Sequence, residues 1–180
     1  MYLAHEAGRL AGTDGDRIGQ WARWGHIRAS VSAGDPHVYS FSDVADALAV
    51  RILLDAGLPL RVIRAAVGHL GGEHPLASGL HVVDGRMAVE RAGGLEDVFT
   101  EQRVFEWDGK LDPLALLRAG GWPSLVTGVT VVEVDPERLA GRPCLRGRRV
   151  PVEVAAEGGL GLSDDEVAQA RRWCAVDTTA

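Results

Sequence analysis

Helix-breaking residues cut the first 72 positions into short pieces, and that spacing limits the fold more than any other feature. Gly12 and Gly25 come first, then Gly34-Asp35-Pro36, then Gly57, Pro59 and Gly71-Gly72. Glycine and proline are the two costliest residues inside a helix. The apolar residues between them must therefore build several short helices. Leu3, Ala7 and Leu10 share one face of a first helix, and Ile18, Trp21 and Ala22 one face of a second. Thr13 stands as the expected cap of that second helix, with Asp16 three places on. Residues 26–39 read as a hairpin-like excursion between the pairs Ile27/Val31 and Val38/Tyr39. Ser40 and Asp43 form a capping box for a third helix carrying Phe41, Val44, Leu48, Ile52 and Ala56 at helical spacing. Pro59 opens a fourth, lined by Leu60, Ile63, Val67 and Leu70.

The pattern changes after Gly72. "LHVVDGRMAVE" is two short β runs around Asp84-Gly85, a two-residue hairpin signal. "VFTEQRVFEW" and "GVTVVEV" read as further strands, and "DPLALLRAG" as a short helix opened by aspartate and proline. Ser163 and Glu166 cap a last helix with Val167, Ala170 and Trp173/Cys174 on one face, and the tail DTTA is expected to fray. The expected class is α+β, in three parts. These are a winged helix-turn-helix over 1–72, a β-rich middle over 73–130, and a small, shortened helical module over 131–180.

Several functions are excluded at this level. No apolar run approaches the ~20 residues that span a bilayer, and "MYLAHEAGRL" lacks the apolar stretch of a signal peptide. Cys144 and Cys174 have no ligand-like spacing, so a reduced, cytoplasmic protein without disulfide or zinc site is expected. The six histidines are scattered. The nearest metal-like pattern, His69, Glu73 and His74 with His81 downstream, lacks the helical pair of a zinc motif. No nucleophile or phosphate loop is recognisable. The expectation is no enzyme, no cofactor and no metal.

The order of short helix, tight turn, second helix, hairpin and longer helix is that of a winged helix-turn-helix, whose second helix can enter a major groove. "YLAHEAGRLAGTDGDRIGQWARWGHIR" and "HVYSFSDVADALAVRILLDAGLPLRVIRAAV" resemble the MerR family of regulators over about residues 2–70. The resemblance implies operator DNA as a ligand, contacted by Thr13, Arg17, Gln20 and Arg23 on the second helix and by Arg28 and Tyr39 on the wing. Two family arginines are replaced, by Gly19 and by His37 or Val38, so fewer phosphate contacts are expected. The family's long dimerising helix and effector loop have no counterpart after Gly72.

The chain is acidic, with net charge −6, yet "AGRPCLRGRRVPVEV" places Arg142, Arg146, Arg148 and Arg149 within eight positions. Gly141 and Gly147 permit tight turns, and Pro143 and Pro151 stiffen the segment. "VEVDPERLAGRPCLRGRRVPVEV" resembles the domain of unknown function 433 found in VapB-type antitoxins, through Asp135-Pro136, Gly141, Pro143, Gly147, Arg149 and Pro151. Arg148 replaces that family's threonine, and one of its two closing helices is expected to be missing at "VEVAAEGGLG".

The resemblance implies a PIN-like ribonuclease toxin as partner, met by the four arginines, and an antitoxin that represses its own operon. A stand-alone MerR-like regulator or excisionase-like DNA-binding protein is the alternative. So is a loop whose arginines pair with Glu133, Asp135, Glu137 and Glu153 of the same chain. A lone last helix cannot bury its apolar face unaided. Completion by the middle layer, another chain or a homodimer that covers Trp173 is therefore expected.

Overall fold

The structure, a computed structural model, describes residues 1–77, 80–83, 85–92, 94–104, 110–118 and 128–175. Four helices come first: α1 (Ala4–Ala11), α2 (Gly15–Arg23), α3 (Phe41–Asp55) and α4 (Leu60–Leu70). Gly12, in the left-handed conformation, closes α1. The cap of α2 is Asp14, not Thr13: its Oδ1 accepts the Arg17 amide at 2.7 Å. Thr13 is 6 % exposed and lies in the turn. That turn presses on α1 so closely that a Cβ at Gly8 would stand 2.6 Å from the Thr13 carbonyl oxygen. Glycine at this position therefore sets how closely the turn and α1 pack.

Between α2 and α3 the chain forms a minimal hairpin, pairing Ser32 with Val38 through bonds of 3.1 and 3.0 Å. Its end returns to the N-terminus, where Tyr39 pairs with Tyr2. The Ser40–Asp43 capping box starts α3 as expected. Unlike an amphipathic surface helix, α3 is buried on every side from Asp43 to Val50.

The middle is a five-stranded antiparallel sheet in the order β4-β3-β2-β1-β5. Its strands are β1 (Leu80–Val83), β2 (Arg86–Arg91), β3 (Gly94–Asp97), β4 (Arg103–Val104) and β5 (Lys110–Leu111). Val83 pairs with Arg86, so the β1–β2 connection has the two-residue length expected; Asp84 itself lies outside the described residues. The segment expected as one strand over 98–107 departs from that. Phe99 and Thr100 donate their amides to Asp97 Oδ1 in a turn, and pairing covers only β4, with 105–107 outside the described residues. Helix α5 (Pro113–Arg118) follows and packs on α3.

In the last part, the expected strand over 128–134 is reduced to β6 (Val132–Glu133), paired with β7 (Cys144–Leu145). Then come α6 (Val152–Glu157) and α7 (Asp164–Ala175). The module thus has two helices. The one absent from the sequence reading is α6, because Gly158, Gly159 and Gly161 crowd the end of this six-residue helix. Helix α6 packs along α7, and Trp173 is 1 % exposed within this single chain. The face expected to need a second chain is covered, which removes that motive for a homodimer. No helix among the described residues is long and apolar enough to cross a membrane.

The first and last parts meet directly. The Tyr2 hydroxyl donates to the Gly141 carbonyl, and a Cβ on Gly141 would collide with that hydroxyl. Burial, with Glu6 adding to it, pushes the Tyr2 phenol above its ordinary pKa, so it stays a donor. The Arg9 guanidinium lies 5.6 Å from the Trp173 ring centroid, within cation–π range.

Candidate nucleic-acid and partner-binding surfaces

Helix α2 buries Ile18 and Trp21 and turns the rest outward. Trp24, at its end, is 50 % exposed, so only one of the two tryptophans belongs to the core. Arg17 and Arg23 are exposed and Gln20 is half-buried on the outer side. Arg17 Nε stands 3.4 Å from Asp14 Oδ2, a pair open to solvent and correspondingly weak. Arg28 is exposed at the base of the hairpin.

Thr13 and Tyr39 are placed differently from the arginines. Both are buried, and the Tyr39 hydroxyl lies inside without a hydrogen-bond partner. Neither side chain is turned to a surface where DNA could lie. A cavity of about 320 Å³ opens between α1, α2 and the hairpin tip, with His5, Gly19, Arg23 and His37 on its walls beside Asp16 and Asp35. Gly19 leaves the wall open there, since a Cβ would come within 3.3 Å of the Arg23 guanidinium.

The arginine loop is a tight turn at the start of the second surface. The Leu145 amide donates to the Val150 carbonyl at 2.9 Å, and the Arg148 amide to the Leu145 carbonyl at 2.9 Å. Gly147 has φ of +72°, which glycine adopts at least cost. All four arginines are exposed. Arg142 pairs with Glu153 at 3.4 Å and Arg148 with Glu166 at 3.2 Å, while Arg146 Nε donates to the Thr130 carbonyl at 3.1 Å. Glu133, a neighbour expected to take one of them, binds Arg138 and the Gly147 amide instead. Arg149 is in no ion pair among the described residues.

A third polar group lies in the interior, and sequence reasoning missed it. Asp43 and Asp46 are buried on α3, and His74, from the loop after α4, faces both. Asp46 Oδ1 accepts the amides of Leu76 and Ala77 at 3.0 and 2.8 Å, fastening the loop onto α3. Burial raises the Asp46 carboxyl to about 6 against the lowering pull of His74 and those amides. The sequence signs were two aspartates early in a mostly apolar helix and His74 in the histidine pattern after α4.

Comparison with known proteins agrees with both resemblances. Residues 2–69 match the model of the MerR HTH family regulatory proteins, and residues 132–170 match a protein family of unknown function, DUF433. Two uncharacterized HTH-type transcriptional regulators, Mb1861 from Mycobacterium bovis and Rv1830 from Mycobacterium tuberculosis, are each 36% identical to this chain over 73 residues. Those matches cover 38% of this chain, and the chain spans about a third (32%) of the length of these relatives. A crystal structure of Rv2018 from Mycobacterium tuberculosis shares the fold almost throughout. Its TM-score is 0.56 at 20% identity, covering 95% of this chain and 96% of that one.

Proposed function

We propose that the chain is a DNA-binding repressor and antitoxin. Its helix-turn-helix reads an operator, and its arginine turn docks and neutralises a PIN-like ribonuclease, in the cytoplasm. The observation that carries the reading is the direct junction of the two parts. Tyr2, bonded to the end of the wing, also holds the loop that leads into the arginine turn. A regulator that must sense its partner needs such contact between the DNA-reading and partner-reading surfaces. The names of the N-terminal relatives, HTH-type transcriptional regulators, support the first half. The second half rests on the resemblance of residues 132–170 to the DUF433 family, which the sequence reading associates with VapB-type antitoxins.

On the DNA side, the exposed set Arg17, Gln20, Arg23 and Arg28 carries the contact, with Thr13 and Tyr39 supporting from within. On the toxin side, guanidinium pairs bidentately with carboxylate, so a carboxylate-built nuclease site suits arginines displayed on a rigid turn. Arg142 and Arg148 exchange their partners, the exposed Glu153 and the half-buried Glu166, for better-buried carboxylates on the toxin.

The test is a set of single alanine variants at Arg142, Arg146, Arg148 and Arg149. Each is scored separately for rescue of growth against a co-expressed PIN-like partner and for operator binding in a gel shift. Loss of rescue with DNA binding intact is expected from at least one variant. Loss of DNA binding alone makes the turn a phosphate clamp on a stand-alone regulator. No effect from any variant returns the arginines to their own chain's carboxylates.

A further inference from the structure

The interior cluster on α3 has a place in neither DNA reading nor partner docking. Asp43 and Asp46 stand one turn apart on α3, 0% and 1% exposed. His74 Nδ1 is hydrogen-bonded to Asp46 Oδ2 at 3.0 Å and lies 3.5 Å from Asp43 Oδ1. The other two oxygens are already engaged. Asp43 Oδ2 accepts from the Ser30 amide and hydroxyl and the Ser40 amide, at 2.7–2.9 Å. Asp46 Oδ1 takes the two loop amides of Leu76 and Ala77. That leaves Asp43 Oδ1 fully buried, without a hydrogen-bond donor, and turned toward the imidazole. A buried carboxylate oxygen lacking a donor is the atom a cation would satisfy.

We propose that Asp43 Oδ1, Asp46 Oδ2 and His74 Nδ1 form a binding site for a divalent transition cation of the zinc class. The three atoms lie within 4.8 Å of one another. Ligands on a tetrahedral zinc with bonds of about 2.0–2.1 Å sit roughly 3.3 Å apart, and the two nitrogen–oxygen distances here bracket that value. Two carboxylates balance the dipositive charge. The imidazole turns the choice toward zinc and its neighbours and away from magnesium or calcium.

The backbone donors on the outer oxygens do what supporting shells do in metal sites, fixing each carboxylate's orientation. The His74 side chain is 24% exposed, so an ion can enter past it and a water can complete the coordination. The pattern visible in the sequence, His69, Glu73, His74 and His81, contributes only one of the three ligands. An ion here would clamp the loop after α4 to α3. Through Asp43 it would also stiffen the base of the hairpin, where Ser30 and Ser40 are held.

The experiment uses the full chain stripped with EDTA. Zinc is titrated by calorimetry and cobalt by its visible ligand-field absorption. One equivalent per chain is expected, with a zinc-dependent rise in melting midpoint. Weakening of at least about tenfold is expected in His74→Gln and in Asp46→Asn, and none in His69→Gln. No stoichiometric binding to the parent chain overturns the site and leaves the cluster an ion pair, as does parental binding by a folded His74→Gln. Should His74→Gln fail to fold, the parent decides. Selective broadening of the His74 ring resonances by one equivalent of cobalt supports the site, and its absence overturns it.

Discussion

The helix-turn-helix and the C-terminal module both display arginines, but they tie them down to different degrees. In the first part, a fifteen-residue helix buried on all sides from Asp43 to Val50 organises the region; Arg23 and Arg28 are in no ion pair among the described residues, and Arg17 has only a solvent-open pair with Asp14. In the last part, strands of two residues and helices of six and twelve bury fewer apolar side chains than α1–α4 do. Polar ties replace it: Gln169 accepts the amides of Thr130 and Val131, Glu133 takes Arg138 and the Gly147 amide, and Arg142 and Arg148 have carboxylates of their own. A large core can afford to leave cations in solvent, where long-range attraction to phosphate costs no prior partner. A small core uses some of its charges for structure, so a binding partner must offer better carboxylates than the ones displaced.

The sharpest way to break this contrast is to ask whether the two parts are separable. Trp173 is buried and lies against Arg9 of α1. Trp173→Ala should cost about 3–5 kcal/mol, by the usual loss for a buried aromatic, and should lower a single melting transition that includes the N-terminal helices. Urea melts in which those helices unfold at the parental midpoint would make the C-terminal module an appendage.

The next effect is on binding. Arg23→Ala should weaken operator binding by about 1–3 kcal/mol if the side chain contacts a base. Arg149→Ala, in the C-terminal module, should leave it unchanged. Equal loss from both in a gel shift would show that the two arginine surfaces share one ligand.

The middle sheet offers a control outside both regions. Burial pushes the Asp97 carboxyl up, but the Thr100 and Phe99 amides, with Arg86 at 3.0 Å, outweigh it and hold its pKa below the ordinary 3.8. A lowered carboxyl contributes stability above its unfolded pKa and loses it as pH falls through the folded one. Asp97→Asn should therefore cost about 1–2 kcal/mol at neutral pH. Below pH 3.8 the gap between variant and parent should narrow. A gap constant with pH in denaturant melts would assign the cost to lost packing.

The smallest effect tests the junction itself. Tyr2→Phe removes the donor to the Gly141 carbonyl and should cost about 1 kcal/mol. It should also increase proteolytic nicking near residues 139–141, where Leu139, Ala140 and Gly141 all have positive φ. Unchanged cleavage would mean the strained loop is held by other contacts.

The sequence by itself determined the parts that depend on neighbours along the chain. Breakers delimited the helices, the Ser40–Asp43 box began α3, the two-residue Asp84-Gly85 turn set the β1–β2 pairing, and the residue order in both matched segments was legible as a family resemblance. These are short-range effects, encoded within a few positions.

Only the tertiary structure decided what depends on distant neighbours. It placed Asp14, not Thr13, at the head of α2, because Thr13 is taken up in the packing against Gly8. It buried Tyr39 where it pairs with Tyr2, and it completed the C-terminal module within one chain by laying α6 on α7. It also brought His74 to two aspartates on α3 about thirty residues earlier. A side chain's burial and its long-range partners follow from how the elements pack, and packing has no fixed spacing in the chain.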